Sequence, residues 1–244
     1  MKKVQAYIEQ LKKMDNWEGY LLQESGLPGP RANLELIYAV ADIGNEDQFL
    51  HLLSYIPERA PVNAQQEFLV CCGTVGLGRL IIEGKENYLH TLRSLASDPR
   101  WRIREAVAIA LQIYGEVHMD ALLDKMEVWS EGNPYEKRAA VATLCEPKLL
   151  HEKERICRVL HILNKITESI EGMDNRKDEG FIALKKGMAY CWSVAIVSYP
   201  EEGKRFFEQW ISCPDKDIRW IVKQNLKKQR LTRMDKEWVE SILI

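Results

Sequence analysis

The chain is 244 residues long, 46% hydrophobic and 29% charged, with 34 Lys and Arg against 36 Asp and Glu for a formal net charge of −2. That composition excludes an intrinsically disordered chain, and its near-neutral balance is not that of a protein coated with positive charge to hold nucleic acid. The longest uncharged apolar run, residues 68–77, is far shorter than the ~20 residues a bilayer span requires, so no membrane partner is expected.

Residues 1–14, MKKVQAYIEQLKKM, place Glu9, Lys12 and Lys13 where a secretion signal needs an unbroken apolar core. They predict an amphipathic first helix. Apolar residues then recur at steps of three and four: Leu34, Ile37, Tyr38 and Ala41; Ile103, Ala106, Val107, Ala110, Leu111 and Tyr114; Ile218, Ile221, Val222 and Leu226; Trp238 and Ile242. Short breaks rich in Gly, Pro, Asn and Asp separate them, among them GLPGPR at 26–31, SDPR at 97–100 and CPDKD at 213–217. About a dozen helices and no strand are expected. The one candidate linker is residues 170–180, so residues 1–244 are read as a single all-α domain.

Gly73, Gly76 and Gly78 in CCGTVGLGRL lack the order, the following Lys and the preceding strand of a phosphate loop, and read as sites of close helix packing. The six cysteines (71, 72, 145, 157, 191 and 213) sit in apolar helical patterns without regular spacing, which suits buried thiols in a reducing, cytoplasmic setting. Cys157 and His161 form an i, i+4 pair with no second pair to complete a metal site. No catalytic constellation assembles from the sequence, so no catalytic residue, metal or cofactor is expected.

Charge is distributed unevenly. From Asp15 to Arg59 there are eight acids against two bases, and from Asp215 to Lys236 eight bases against three acids, so an anionic partner is expected to prefer the C-terminal end. There Arg219, Lys223, Lys227 and Arg230 follow one another at steps of four, four and three, beside Trp220.

The helices also repeat. DPRWRIREAVAIAL (98–111) aligns with GNPYEKRAAVATLC (132–145) at an offset of 34, matching Arg104 with Arg138, and PDKDIRWIVKQNL (214–226) repeats Ile103-Arg104 as Ile218-Arg219. The offset lies within the roughly 34–47 residues of helix-pair repeats. The run Asp98-Pro99, Ile103-Arg104-Glu105-Ala106-Val107-Ala108, Ala110-Leu111 resembles the second helix of a HEAT-type repeat, sharply over about 20 residues and more loosely at 134–145 and 214–226. The resemblance implies an α-α superhelix of the HEAT or armadillo kind, with about six helix pairs stacked to bury a shared core.

A second, shorter resemblance covers residues 96–106. ASDPRWRIREA is similar to a Ser-Asp-x-x-Trp-x-x-Arg segment of the HEAT-like-repeat alkylpurine DNA glycosylases, in which the arginine matching Arg104 faces the DNA backbone. Two functions are therefore in view. The first is a non-enzymatic adaptor binding a protein or peptide on its concave face through Arg100, Trp101, Arg102, Arg104, Arg138, Arg219, Trp220, Lys223, Lys227 and Arg230. The second is a nucleic-acid-binding protein related to those glycosylases, using the same arginines with the C-terminal lysines. Arg104, Arg138 and Arg219 are otherwise expected to form a ladder of bonds between neighbouring repeats. Arg100, Trp101 and Arg102 are the residues the repeat explains least.

Overall fold

The computed structural model describes residues 2–243. Among them the chain is all-α: fifteen α-helices and no strand. The first seven are α1 (Lys2–Leu11), α2 (Glu18–Glu24), α3 (Leu34–Ile43), α4 (Glu46–Leu53), α5 (Gln65–Ile82), α6 (Tyr88–Leu95) and α7 (Trp101–Val117). The remainder are α8 (Met119–Trp129), α9 (Pro134–Leu144), α10 (Lys153–Glu171), α11 (Glu179–Ser198), α12 (Pro200–Glu208), α13 (Lys216–Leu226), α14 (Gln229–Met234) and α15 (Lys236–Leu243). A 3-10 turn at Pro147–Leu149 links α9 to α10.

Local chemistry sets the helix starts. Asn45 and Asn133 each close a capping box, with Gln48 and Glu136 three residues on. Asp178 and Asp215 accept two backbone N–H groups each at the starts of α11 and α13. Before α7, Asp98 Oδ1 accepts from Arg100 N at 2.8 Å, the role its place in SDPR suggests. Asn133 and Asp215 thus cap the first turns of the second and third repeat copies, whereas in the first copy Asp98 bonds to Arg100, the residue just ahead of α7.

The chain divides into two compact units, one ending at Val117 and the other beginning at His118. In the first, α5 is the central helix, with every residue from Glu67 to Gly78 buried. It packs against α3, α4 and α7. Its glycines make that possible: a Cβ on Gly76 would stand 2.3 Å from Phe49 Cδ1 of α4, and one on Gly78 would stand 2.4 Å from Ala110 O of α7. Phe49 fills the space so vacated and is fully buried, a gain of about 1.5–3 kcal/mol for such a side chain.

In the second unit α9, α11 and α13 pack in sequence, and α10 packs against both α8 and α12. The junction of α11 and α13 is fixed by fully buried Asn225, whose amide donates to Met188 O and whose Oδ1 accepts from Ser193 N, each at 2.9 Å. Trp192, also fully buried, donates its indole N–H to Thr167 of α10. By length and composition α11 could cross a bilayer, which the charge-free run at 68–77 did not suggest, but 61% of its apolar stretch is buried inside the protein. The expected linker at 170–180 is pinned: Arg176 reaches Met173 O, Glu171 O, Asp215 and Asp217.

Candidate functional site

The ten residues singled out by sequence fall into two groups, four on the first unit and six on the second. On the first, burial separates them. Arg100 is 3% exposed and all its hydrogen bonds are internal: Nε and Nη2 bind Asp98, while Nη1 donates to Tyr55 O and Ala60 O. Arg102 is 6% exposed, pairs with fully buried Glu67 at 3.1 Å, and donates to Gly29 O and Asn63 Oδ1. These two side chains staple the loops before α3 and α5 to the start of α7, and neither offers its charge to a partner. Arg104 turns back onto its own helix start, donating to Asp98 O at 2.5 Å and Pro99 O at 3.0 Å. Trp101 is 44% exposed, with the Arg102 guanidinium 4.3 Å from its ring centre.

The repeated arginines thus have three different surroundings. Arg104 satisfies carbonyls of its own first turn, Arg138 of α9 lies against Gly187 of α11, and Arg219 of α13 is exposed with no hydrogen bond or ion pair among the described residues. A row of ion pairs between neighbouring helices is built from other residues. Between α8 and α10, Arg155 binds Asp120, Arg158 binds Asp124 and Glu127, and Lys165 binds Glu131. The Arg155 pair holds the Asp120 carboxyl below the usual carboxylate range.

On the second unit the remaining candidates assemble. Lys216, Arg219, Trp220, Lys223 and Lys227 are all exposed, along α13 and at its C-terminal end. A four-residue step along a helix is about 6 Å, so the cations form a row on a rigid rod. The neighbouring helix α11 contributes residues that sequence reasoning passed over: Ile182, Lys186 and Tyr190, exposed at successive steps of four. Two contacts join the rows. Lys185 Nζ lies 4.6 Å over the Trp220 ring, and Tyr190 carries the Arg230 guanidinium 4.5 Å from its centre with a hydrogen bond to its hydroxyl. The spacing of Lys186 and Tyr190 was the available signal, but it shows no partner until α13 is beside it.

This face is almost free of negative charge. The acids of α9, α11 and α13 are Glu136, Glu179 and Asp217. Glu136 is engaged in the capping box, and Glu179 sits in the first turn of α11. Asp217 is 5% exposed and bound by both Lys185 at 2.6 Å and Arg176 at 2.8 Å. Burial opposes its ionisation, but the hydrogen bonds from Lys185 and Arg176 outweigh that and hold its carboxyl below the usual range. Lys186, Arg219, Lys223 and Lys227 therefore face solvent with no compensating acid among the described residues, beside two aromatic rings. Such a surface attracts anions and grips planar or apolar groups between them.

Among the described residues no group of three His, Cys, Asp or Glu side chains is placed to hold a metal ion. The chain matches none of the models of known protein families, none of the curated proteins and none of the solved structures with which it was compared.

Proposed function

We propose that the chain is an α-α superhelical repeat protein of the HEAT type, a non-enzymatic adaptor that binds an acidic segment of a partner protein on the α11–α13 face. Four observations support the repeat reading: the offset of 34 between copies, the side-chain caps Asn133 and Asp215 that open the second and third copies, the packing of α3 on α5 and α5 on α7, and that of α9 on α11 and α11 on α13. All six cysteines are unpaired and five are buried, which fits a reducing cytoplasmic setting.

One observation carries the binding assignment: unpartnered Lys186, Arg219, Lys223 and Lys227 flank Trp220 and Tyr190, while the acid beneath them, Asp217, is buried and neutralised. An acidic peptide with an aromatic or aliphatic residue answers both halves of that chemistry. The test is fluorescence anisotropy with a labelled Glu- and Asp-rich peptide at low and high salt. Binding should weaken with salt and fall tenfold or more when the four cations are replaced by Ala, since exposed pairs contribute about 0.2–1 kcal/mol each. Unchanged affinity in that variant would overturn the assignment.

The interleaving of cations with Trp220 and Tyr190 also favours a second reading, a single-stranded nucleic acid stacking its bases on those rings. An oligonucleotide that binds more tightly than the acidic peptide, with affinity falling steeply with salt, would select it. Base release from alkylated DNA, lost in a folded Trp101→Ala or Arg104→Ala variant, would extend it to the glycosylase relationship.

A further inference from the structure

On the α11–α13 face, Trp220 is surrounded in a way that a row of cations alone does not require. Lys216, Trp220 and Lys223 of α13 and Lys227 at its end follow at steps of four, three and four, which at about 3.6 residues per turn sets them within about 60° on one side of the helix. The indole is thus bracketed by an exposed lysine about one turn to either side. Trp17, Trp192, Trp210 and Trp238 each donate their indole N–H to a protein acceptor. That of Trp220 has no such acceptor among the described residues, and the ring is 36% exposed.

The ring is nevertheless held. Lys185 Nζ stands 4.6 Å over one face, kept there by a 2.6 Å bond to Asp217 Oδ1. Asp217 is fixed twice more: Arg176 Nη1 donates to its Oδ2 at 2.8 Å, and its backbone N–H donates to Asp215 Oδ1 at 2.8 Å. Arg176 in turn binds Asp215, Met173 O and Glu171 O. Side chains of α11, α13 and the segment between α10 and α11 therefore converge on the orientation of one exposed indole. A cation already occupies the covered face, and the ring's exposed surface lies outside that contact. It suits an uncharged planar group, which an indole takes in offset or edge-on contact.

We propose that Lys185 and Asp217 are positioning residues that present Trp220 as the aromatic anchor of the α11–α13 face. The face then reads an extended partner segment of the pattern acid-x-aromatic-x-acid. This rests on the reading of that face as a docking site for an acidic segment, and adds which segment it selects. Along α13, at about 1.5 Å per residue, Lys223 and Lys216 lie about 4.5 and 6 Å to either side of Trp220. In an extended peptide, residues two places apart point the same way and are about 6.6 Å apart. An aromatic side chain stacked on Trp220 therefore brings the acids two places before and after it to the two lysines. A peptide carbonyl beside the aromatic residue accepts from the free indole N–H.

The test uses the full-length protein and three labelled acidic peptides. The first has Tyr with Glu two places to either side, the second has Ala for that Tyr, and the third has the composition of the first with both Glu residues moved to one end. The Tyr peptide should bind roughly tenfold more tightly than the Ala peptide, the worth of burying one aromatic side chain, and more tightly than the rearranged one. In isotope-labelled protein it should shift the Trp220 indole N–H signal saturably, that signal being assigned from its disappearance in Trp220→Phe. Lys185→Met should cut the Tyr-to-Ala ratio to about threefold, the loss expected with one exposed cation–π contact. Lys185→Arg, which keeps the charge and the donors to Asp217, should restore it. A ratio unchanged in Lys185→Met, equal binding of the rearranged peptide, or a parent that does not distinguish Tyr from Ala would each overturn the proposal while leaving the acidic-segment reading in place. Failure of all three peptides to bind the parent, or tighter binding of a single-stranded oligonucleotide, would overturn both.

Discussion

Arg102 Nη1 donates to Glu67 Oε2 at 3.1 Å, joining residues 35 positions apart with side chains 6% and 0% exposed. Removing one partner strands the other charge in the interior, at a cost of about 3–5 kcal/mol. Glu67→Ala and Arg102→Ala should each lower the urea midpoint by a corresponding amount. The double variant Glu67→Leu/Arg102→Met should recover much of the loss, because it also removes the two unsatisfied atoms. Single variants as stable as the parent would show that the pair carries no structural weight.

Two glycines should respond to alanine in opposite directions. In Gly78→Ala the new Cβ would stand 2.4 Å from Ala110 O, a backbone atom of α7 that cannot step aside, so α5 and α7 must separate at a cost of about 1–3 kcal/mol. In Gly19→Ala, within α2, the new methyl meets nothing within 4 Å. Reduced freedom of the unfolded chain should stabilise that variant by about 0.4–1 kcal/mol. Thermal melts of the two variants beside the parent decide both.

Acid should weaken the second unit through Asp215 and Asp217. For both, burial raises the carboxyl pKa, but hydrogen bonds from Arg176, with Lys185 at Asp217 and backbone N–H groups at Asp215, outweigh it and leave the folded values depressed. A depressed carboxylate stabilises the fold above its unfolded value of about 3.9 and loses that contribution as pH falls through the folded value. The stability gap between parent and Asp217→Asn should therefore be full at pH 7 and close below about pH 4. A gap that stays constant across that range would contradict the linkage.

Charge reversal on α13 should separate binding from folding. Lys223 and Lys227 are exposed and make no ion pair or hydrogen bond through their side chains among the described residues. Lys223→Glu/Lys227→Glu should stay within about 0.5 kcal/mol per site of the parent's stability. It should bind the acidic peptide at least tenfold more weakly at low salt, with the difference narrowing as salt rises. By contrast Arg100→Ala should act on stability, because its hydrogen bonds are all internal.

Much of the local architecture was legible. Asp98, Asn133 and Asp215 announce helix starts because a capping side chain bonds to N–H groups two or three residues on, within reach of any sequence reading. The α13 row was legible for the same reason, since residues four apart on a helix share a face whatever surrounds it. Arg100 and Arg102 were not. They stand out in the sequence as excess charge, yet their partners Tyr55, Ala60, Glu67 and Gly29 lie 35 to 73 residues away.

The sequence by itself therefore determined the helical class, the helix starts and which face of each helix is apolar, because all three are set by interactions within one or two turns. Only the tertiary structure decided which charges are used up and which remain. It placed Glu67 under Arg102, Asp217 under Lys185 and Arg176, and Tyr190 beside Arg230. An arginine's availability depends on the acid the fold sets beside it, and that neighbour is fixed by packing between helices far apart in the chain.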